Sequence, residues 1–159
     1  MKKVYQTIVD NTRGDCARAV VASLFEYDIC DIPNFIETHH IRNMHQQIFD
    51  FYEARGYNPC FVHKRNKDTN ELINVAKYDK GINGYFYASV PSQTFEGVSH
   101  AVVVDSDLNI VHDPNPNGKA LLLTPDAVNS ILTVTDFVIT ENGIISGKDW
   151  RESLNYESK

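Results

Sequence analysis

The chain has 159 residues, with 42% hydrophobic and 23% charged residues and a net charge of −6. These values exclude the disordered and fibrous classes and predict a single domain over residues 1–159, with a polar tail from about residue 146. A protein this acidic is not expected to bind nucleic-acid phosphates or anionic membrane surfaces. The short basic cluster at 63–67 is interpreted as a solvated loop.

The three cysteines, Cys16, Cys30 and Cys60, form an odd and low count. Such a count argues against a disulfide framework and suits a reducing compartment. No apolar run follows the N-terminal Met-Lys-Lys, so neither a signal peptide nor a transmembrane helix is expected. The sequence also contains no phosphate loop or dinucleotide fingerprint. We therefore expect a cytoplasmic protein that uses no cofactor and no metal.

The first predicted element is a helix that starts at Cys16. Apolar residues recur at helical spacing through Phe25, which is typical of an amphipathic helix. Gly14 and Asp15 precede this helix and are interpreted as a turn and an N-cap. A second helix is predicted from about Ile41 to Ala54, because a glycine follows where a C-terminal stop belongs.

The later part of the chain has the pattern of strands. Strands are predicted at Cys60–His63, Gly84–Val90, Ser99–Asp105, Asn109–Asp113, Leu121–Leu123 and Asp136–Thr140, with a loop over 66–80 and a short helix from Thr124 to Leu132. Helices thus come first and strands afterwards. This segregation predicts an α+β fold in which N-terminal helices pack on an antiparallel β-sheet.

Cys16 is the candidate nucleophile because it stands at the start of a predicted helix. The free N–H groups and the dipole of a helix N-terminus favour a thiolate, which is the reactive form of cysteine. A thiol nucleophile also needs a neighbouring base and a third group that orients this base. A buried structural cysteine is the alternative interpretation of Cys16. Cys30 and Cys60 lack such a context and are interpreted as structural.

His100 and Asp113 are the predicted partners of the thiol. A two-residue turn at Ser106–Asp107 would place them directly opposite each other on a hairpin, with Cβ atoms roughly 5 Å apart. A one-residue bulge would change this register and would favour His112, which stays the alternative base. Gln6, upstream of the cysteine, is the candidate side-chain donor of an oxyanion hole beside the N–H of Cys16.

These motifs together resemble the papain-like cysteine peptidase superfamily. The resemblance rests on Gln6, on Gly-Asp-Cys-Ala around Cys16, on Ser-His-Ala-Val-Val-Val from Ser99, and on Val-His-Asp-Pro ending at Pro114. It covers about residues 1–125 and is strongest to the C39-like branch, the bacteriocin-leader peptidases and their relatives. Small phage and bacterial proteins also share this layout.

The resemblance implies a papain-like fold and a role for each of four residues. Gln6 would be the oxyanion glutamine, Cys16 the nucleophile, His100 the base and Asp113 its orienter. The expected activity is hydrolysis of an amide, peptide or isopeptide bond through a thiol acyl-enzyme, with a peptide or protein as substrate. Two alternatives stay open: an acyltransferase or transglutaminase with the same triad, and a non-catalytic binding module on the same scaffold.

The histidines of the first half of the chain suggest a metal site at first sight. His39 and His40 are adjacent, and His45 follows His40 by five positions rather than four. Adjacent histidines on a helix point in different directions, so this spacing does not suit metal ligation. A surface or loop role is therefore the interpretation that we adopt for all three.

Overall fold

The computed structural model of the protein describes residues 1–63, 81–118, 128–134, 137–140 and 143–146. Two α-helices come first, followed by the strands, so the predicted α+β class is confirmed. The helices are α1 (Cys16–Phe25) and α2 (Met44–Glu53), with a 3₁₀ turn at Ile29–Asp31 between them. The strands are β1 (Pro59–His63), β2 (Tyr85–Pro91), β3 (Ser99–Asp105), β4 (Ile110–His112), β5 (Ser130–Val134), β6 (Phe137–Thr140) and β7 (Gly143–Ser146).

Five strands form one open antiparallel sheet in the order β1-β5-β2-β3-β4. The central hairpin of this sheet is β2–β3, in which seven residue pairs run from Tyr85↔Asp105 to Pro91↔Ser99. Strands β6 and β7 form a separate two-stranded ladder. The long pairing of β2 with β3 gives the end of β3 that carries His100 a fixed position.

Each face of the sheet is covered by its own hydrophobic core. One core contains α1 and α2 together with Phe61, Tyr87, Val103 and Leu132 from the strands. The second core lies on the opposite face and includes Phe86, Val102, Val104, Leu108, Val128 and Ile131. Alternate residues of β3 therefore enter different cores, as the period of a strand requires. The helices are thus packed on one face, as predicted.

Helix α1 is buried on almost every side, with seven of its ten residues in the interior. Its alanines allow close packing and have high helix propensity, and its valines are tolerated because they fill the core. The helix ends at Glu26, which adopts a left-handed conformation and donates its N–H to the carbonyl of Ala22. Arg18 Nε also donates to the carbonyl of Ile32 at 2.7 Å, which fixes α1 against the following turn.

Two predicted helix boundaries are wrong. Helix α2 begins at Met44 and not near Ile41, because the side chain of Asn43 accepts a hydrogen bond from the His45 N–H and so caps the helix there. Ile41 lies outside the helix and is 77% exposed. The predicted helix from Thr124 to Leu132 is also wrong at its end, since Ser130–Val134 is a strand that pairs with both β1 and β2.

The register of the β3–β4 hairpin differs from the prediction. Val104 pairs with Ile110, but Val103 pairs with His112, so a bulge interrupts the ladder. The turn is also longer than two residues, because Leu108 adopts a left-handed conformation with φ 66°. His100 and Asp113 are therefore not a direct cross-strand pair, and Asp113 follows β4 instead of ending it.

Several predicted features cannot be compared with this structure. The loop at 66–80, the strand at Leu121–Leu123 and the polar tail after residue 146 lie outside the described residues. Within the described ranges, no helix has the length and apolar character needed to cross a membrane. The same part of the chain contains no group of three or more His, Cys, Asp or Glu residues arranged to hold a metal ion.

Candidate active site

Cys16 is the first residue of α1 and is half-buried. The first intrahelical hydrogen bond runs from the Ala19 N–H to the carbonyl of Asp15, at 3.0 Å. The N–H groups of the first helical turn therefore have no acceptor within the helix and remain available to an anion at this end. This geometry favours negative charge both on the thiol and on an oxygen bound beside it. Cys16 and Cys30 are both free thiols, and Cys30 is exposed.

Asp15 does not act as the predicted side-chain N-cap of α1. Its carboxylate turns instead to the N-terminal segment, where it accepts hydrogen bonds from the N–H groups of Thr7 and Ile8, each at 2.9 Å, and from the Thr7 hydroxyl at 2.7 Å. The carboxylate binds this segment and not the helix end because three donors satisfy it there. Asp15 thus occupies the predicted N-cap position, but its side chain does not cap the helix, because its oxygens accept from donors seven and eight positions upstream.

His100 and Asp113 form a direct hydrogen bond, with 2.7 Å between Nε2 of the ring and Oδ1 of the carboxylate. Both side chains are largely buried, with 14% and 18% of their surface exposed. A carboxylate only accepts, so the ring donates through Nε2. Nδ1 is then the nitrogen that can take a proton from a thiol. The bulge in the hairpin does not prevent this contact, because diagonal neighbours on a sheet remain within reach of long side chains.

The surroundings of His100 strongly favour its protonated form. Burial of the ring acts against a positive charge, but the hydrogen bond with Asp113 and interaction with the neighbouring Cys16 thiol outweigh it and raise the pKa of His100 to about 9. An imidazolium is therefore favoured beside the thiol at neutral pH. That arrangement is the one that a thiolate–imidazolium pair requires.

The carboxylate of Asp113 is held from a second side by the turn that follows it. The N–H of Asn115 donates to Oδ1 at 2.9 Å, and the N–H of Gly118 donates to the carbonyl of Asn115 at 3.0 Å. A Cβ atom at Gly118 would lie only 2.6 Å from Oδ2 of Asp113. Glycine is therefore needed there for steric reasons. The Asn-Pro-Asn-Gly run at 115–118 thus forms a turn that packs against the carboxylate of Asp113.

Gln6 is 6% exposed and lines the same cleft as Cys16 and His100. Its side-chain nitrogen donates to the carbonyl of Ile8 at 2.7 Å, and its backbone N–H donates to the carbonyl of Pro114 at 2.9 Å. The amide oxygen has no hydrogen-bond partner among the described residues. One of the two hydrogens on the side-chain nitrogen is therefore used within the loop, and the second is available to a bound oxyanion.

These residues lie in a cleft between two loops. Its lining includes residues 9–12 and 92–95 from the loops, together with Cys16 and His100. Ala17, Met44 and His45 also line the cleft. The prediction assigned no part in a site to Met44 or His45, and no sequence motif marks them, because α2 is brought to the cleft only by packing of the two helices on one sheet face.

The remaining histidines have other environments. His112 is buried, and its Nε2 donates to the carbonyl of Val4 at 2.7 Å, so this ring serves the N-terminal segment and does not line the cleft. Burial and the nearby Lys3 lower the pKa of His112. The ring of His39 accepts a hydrogen bond from the Met44 N–H at 3.0 Å. Burial, and then the neighbouring His39, lower the pKa of His45, whose ring contacts Phe61 edge-on.

The structure thus brings together all four residues that the sequence singles out. A thiol at a helix N-terminus, a protonatable imidazole beside it and a carboxylate behind the imidazole are the groups needed for nucleophilic attack on an acyl carbon. Comparison of the chain with protein-family models, with curated proteins and with solved structures gave no match. The chemistry of the site is therefore argued from its own geometry.

Proposed function

We propose that this protein is a cysteine-dependent hydrolase of an amide, peptide or isopeptide bond and that its fold is papain-like. The observation that carries the proposal is the 2.7 Å hydrogen bond between His100 and Asp113, formed beside a thiol at the first residue of α1. Each group alone has an ordinary structural explanation. Their convergence in one cleft, from segments more than 80 positions apart in the chain, is what supports a shared chemical role.

The reaction begins from a thiolate–imidazolium pair. The proton of the Cys16 thiol is held on Nδ1 of His100, and the imidazolium is stabilised by Asp113 through Nε2. The thiolate then attacks the carbonyl carbon of the substrate. The oxygen that becomes negative is bound by the N–H of Cys16 and by the side-chain nitrogen of Gln6. Gln6 and Cys16 both line the cleft.

Breakdown of this intermediate releases the amine. The carbon–nitrogen bond breaks, His100 donates its proton to the leaving nitrogen, and a thioester to Cys16 remains. A water molecule then attacks the thioester while His100 accepts its proton. The carboxylic acid leaves, and the thiolate–imidazolium pair is restored. The high pKa of His100, about 9, suits the protonated form that the leaving amine needs.

The acyl-enzyme step can be tested without knowledge of the natural substrate. We expect p-nitrophenyl acetate to acetylate Cys16 roughly tenfold or more faster than the exposed Cys30, since only Cys16 has a base and oxyanion donors. Mass spectrometry of peptides resolves the two sites within one sample, and Cys16→Ala removes the fast phase. Equal acetylation of Cys16 and Cys30 would contradict the proposal.

The same experiment decides between water and an amine as the final acceptor. In water alone a hydrolase releases acetate and regenerates the thiol. If added glycinamide captures the acetyl group faster than its bulk concentration explains, the protein is an acyltransferase with the same three residues. A stable acetyl-Cys16 with no turnover would instead favour the binding module that keeps the scaffold without the activity.

A further inference from the structure

We infer that Asp15 is a positioning residue that holds the two donors of the oxyanion hole in one fixed geometry. This inference rests on the proposed function, because it assigns Asp15 a part in that reaction. Asp15 directly precedes Cys16 and is 2% exposed, so it is a buried carboxylate immediately beside the candidate nucleophile. Burial of a charged group is costly unless hydrogen bonds satisfy it.

The bonds of Asp15 all run to the segment that carries Gln6. Oδ1 accepts from the N–H groups of Thr7 and Ile8, and Oδ2 accepts from the Thr7 hydroxyl. Three donors on two consecutive residues fix both the position and the orientation of this stretch of backbone. None of the three bonds runs to the helix that Asp15 precedes, so stabilising that helix end does not explain them.

The carbonyl of Ile8 joins the two halves of the oxyanion hole. It accepts the side-chain N–H of Gln6 at 2.7 Å and the backbone N–H of Asp15 at 3.2 Å. The Gln6 amide and the start of α1 are therefore bound to one and the same oxygen. Because the carboxylate of Asp15 also accepts from the Ile8 N–H, both backbone polar groups of Ile8 are fixed.

A chain of contacts thus runs from Asp15 through Ile8 to Gln6. If Asp15 is shortened to alanine, the N–H groups of Thr7 and Ile8 lose their acceptor and the Gln6 segment is no longer tied to the helix start. The His100–Asp113 pair makes no bond to Asp15, so the activation of the thiol should persist. Asp15 therefore acts on oxyanion binding and leaves the thiolate in place.

Two reactions of the same thiol separate these effects. Alkylation by iodoacetamide needs the thiolate but creates no oxyanion, whereas acetylation by p-nitrophenyl acetate passes through a tetrahedral oxyanion. In Asp15→Ala we expect the acetylation rate of Cys16 to fall roughly 10- to 100-fold, less than the roughly 100- to 1000-fold that outright loss of an oxyanion donor causes, because Gln6 is still present but misplaced. The alkylation rate should stay within about twofold of the wild type.

Asp15→Asn is the matched control. Its amide oxygen can still accept from both backbone N–H groups, and its nitrogen can donate to the Thr7 hydroxyl, which also accepts. This variant should keep most of the acetylation rate. If Asp15 acts through Gln6, the double variant Asp15→Ala/Gln6→Ala should lose no more than Gln6→Ala alone, because the two residues then belong to one unit.

Three results would overturn the inference. The first is an equal fall of the acetylation and alkylation rates in Asp15→Ala, which indicates a general loss of structure. The second is an unchanged acetylation rate in that variant. The third is a fall in the acetylation rate of the double variant equal to the product of the falls in the two single variants. Failure of the proposed function is seen separately in the wild type, as acetylation of Cys16 that is no faster than that of Cys30. The inference then falls as well, because it has no reaction to support.

Discussion

Asp113 shows how tightly single residues define the candidate site. Its Oδ1 accepts from the His100 ring and from the Asn115 N–H, while Oδ2 faces the backbone of Gly118. The carboxylate therefore has little freedom to rotate away from the imidazole. A group that only orients a base has to be rigid in this way, because its contribution is the geometry that it imposes.

Gly118→Ala should displace this carboxylate. The added Cβ would lie 2.6 Å from Oδ2 and 3.0 Å from the carbonyl oxygen of Asn115, so one of these groups has to move. We expect the pKa of His100 to fall from about 9 towards 6.5, since the bond with Asp113 is one cause of its elevation. NMR titration of the ring measures this. Asn117→Ala, which changes an exposed residue in the same turn, is the control and should leave the pKa of His100 unaltered. If Gly118→Ala also left this pKa unaltered, Asp113 would not be held by the turn in the way described.

At the scale of one element, α2 depends on its cap. The Asn43 side chain accepts from the His45 N–H at 2.9 Å and fixes the helix start. Met44 and His45 follow directly and form part of the cleft wall. The cap therefore contributes to the shape of the candidate site as well as to stability.

Asn43→Ala is expected to lower the free energy of unfolding by about 1 kcal/mol, the usual effect of losing an N-cap side chain. Urea denaturation followed by circular dichroism gives this value directly. Asn43→Ser keeps an oxygen able to cap and should recover most of the loss. If Asn43→Ala and Asn43→Ser were equally stable, the hydrogen bond to His45 would not be the feature that sets the helix boundary.

The β3–β4 hairpin shows what sequence reasoning can and cannot reach. Strand β3 was predicted with its observed bounds, because its apolar, β-branched run is unambiguous. The turn was misjudged because Leu108 adopts a left-handed conformation that leucine rarely takes. One local and one tertiary feature favour it. Within the turn, the Asp105 carboxylate accepts from the N–H groups of Asp107 and Asn109, and the Leu108 side chain is buried in the second core.

His100 and Asp113 are in contact although the register of the hairpin was predicted wrongly, and the reason is physical. The observed register, Val103↔His112, places Asp113 beside Val102, two residues from His100 along β3. Residues two apart on a strand lie on the same face, so His100 and Asp113 are diagonal neighbours, and their side chains are long enough to meet. The choice of residues could therefore be made from order and spacing, whereas their exact register required the structure.

At the scale of the molecule, His100 links the candidate site to stability. Its pKa is about 9 in the folded protein and about 6.5 in an unfolded chain. The folded state therefore binds the proton more tightly, and this contribution to stability is complete below pH 6.5 and is lost as the pH rises through 9. Burial lowers the pKa of His45 and of His112, and their contribution has the opposite sign, with stability lost as the pH falls below 6.5.

The stability advantage of the wild type over His100→Gln should accordingly shrink by about 2 kcal/mol between pH 6 and pH 9.5. Urea titrations at several pH values measure the difference, and comparison with one variant removes the effect of all other ionisable groups. His40→Gln is a suitable control, because His40 is exposed and does not line the candidate site. Parallel curves for wild type and His100→Gln would show that the charged imidazole is not stabilised by the fold.

The overall architecture was predictable because it follows from the order of the elements. Helical periodicity before strand periodicity dictates an α+β fold, and the buried sheet then needs helices on one face. Asp15 could not be understood in this way. Its partners Thr7 and Ile8 lie in a segment without regular structure, and no periodic pattern indicates where such a segment will pack.

The central claim is that His100 activates the Cys16 thiol, and the alkylation rate by iodoacetamide tests it most directly. At pH 6 we expect wild-type Cys16 to react roughly tenfold or more faster than the exposed Cys30, because only Cys16 has an imidazolium and a helix N-terminus to stabilise its thiolate. In His100→Ala that advantage should largely disappear, while the rate at Cys30 stays the same. Equal rates at the two cysteines, unaffected by the substitution, would contradict the account.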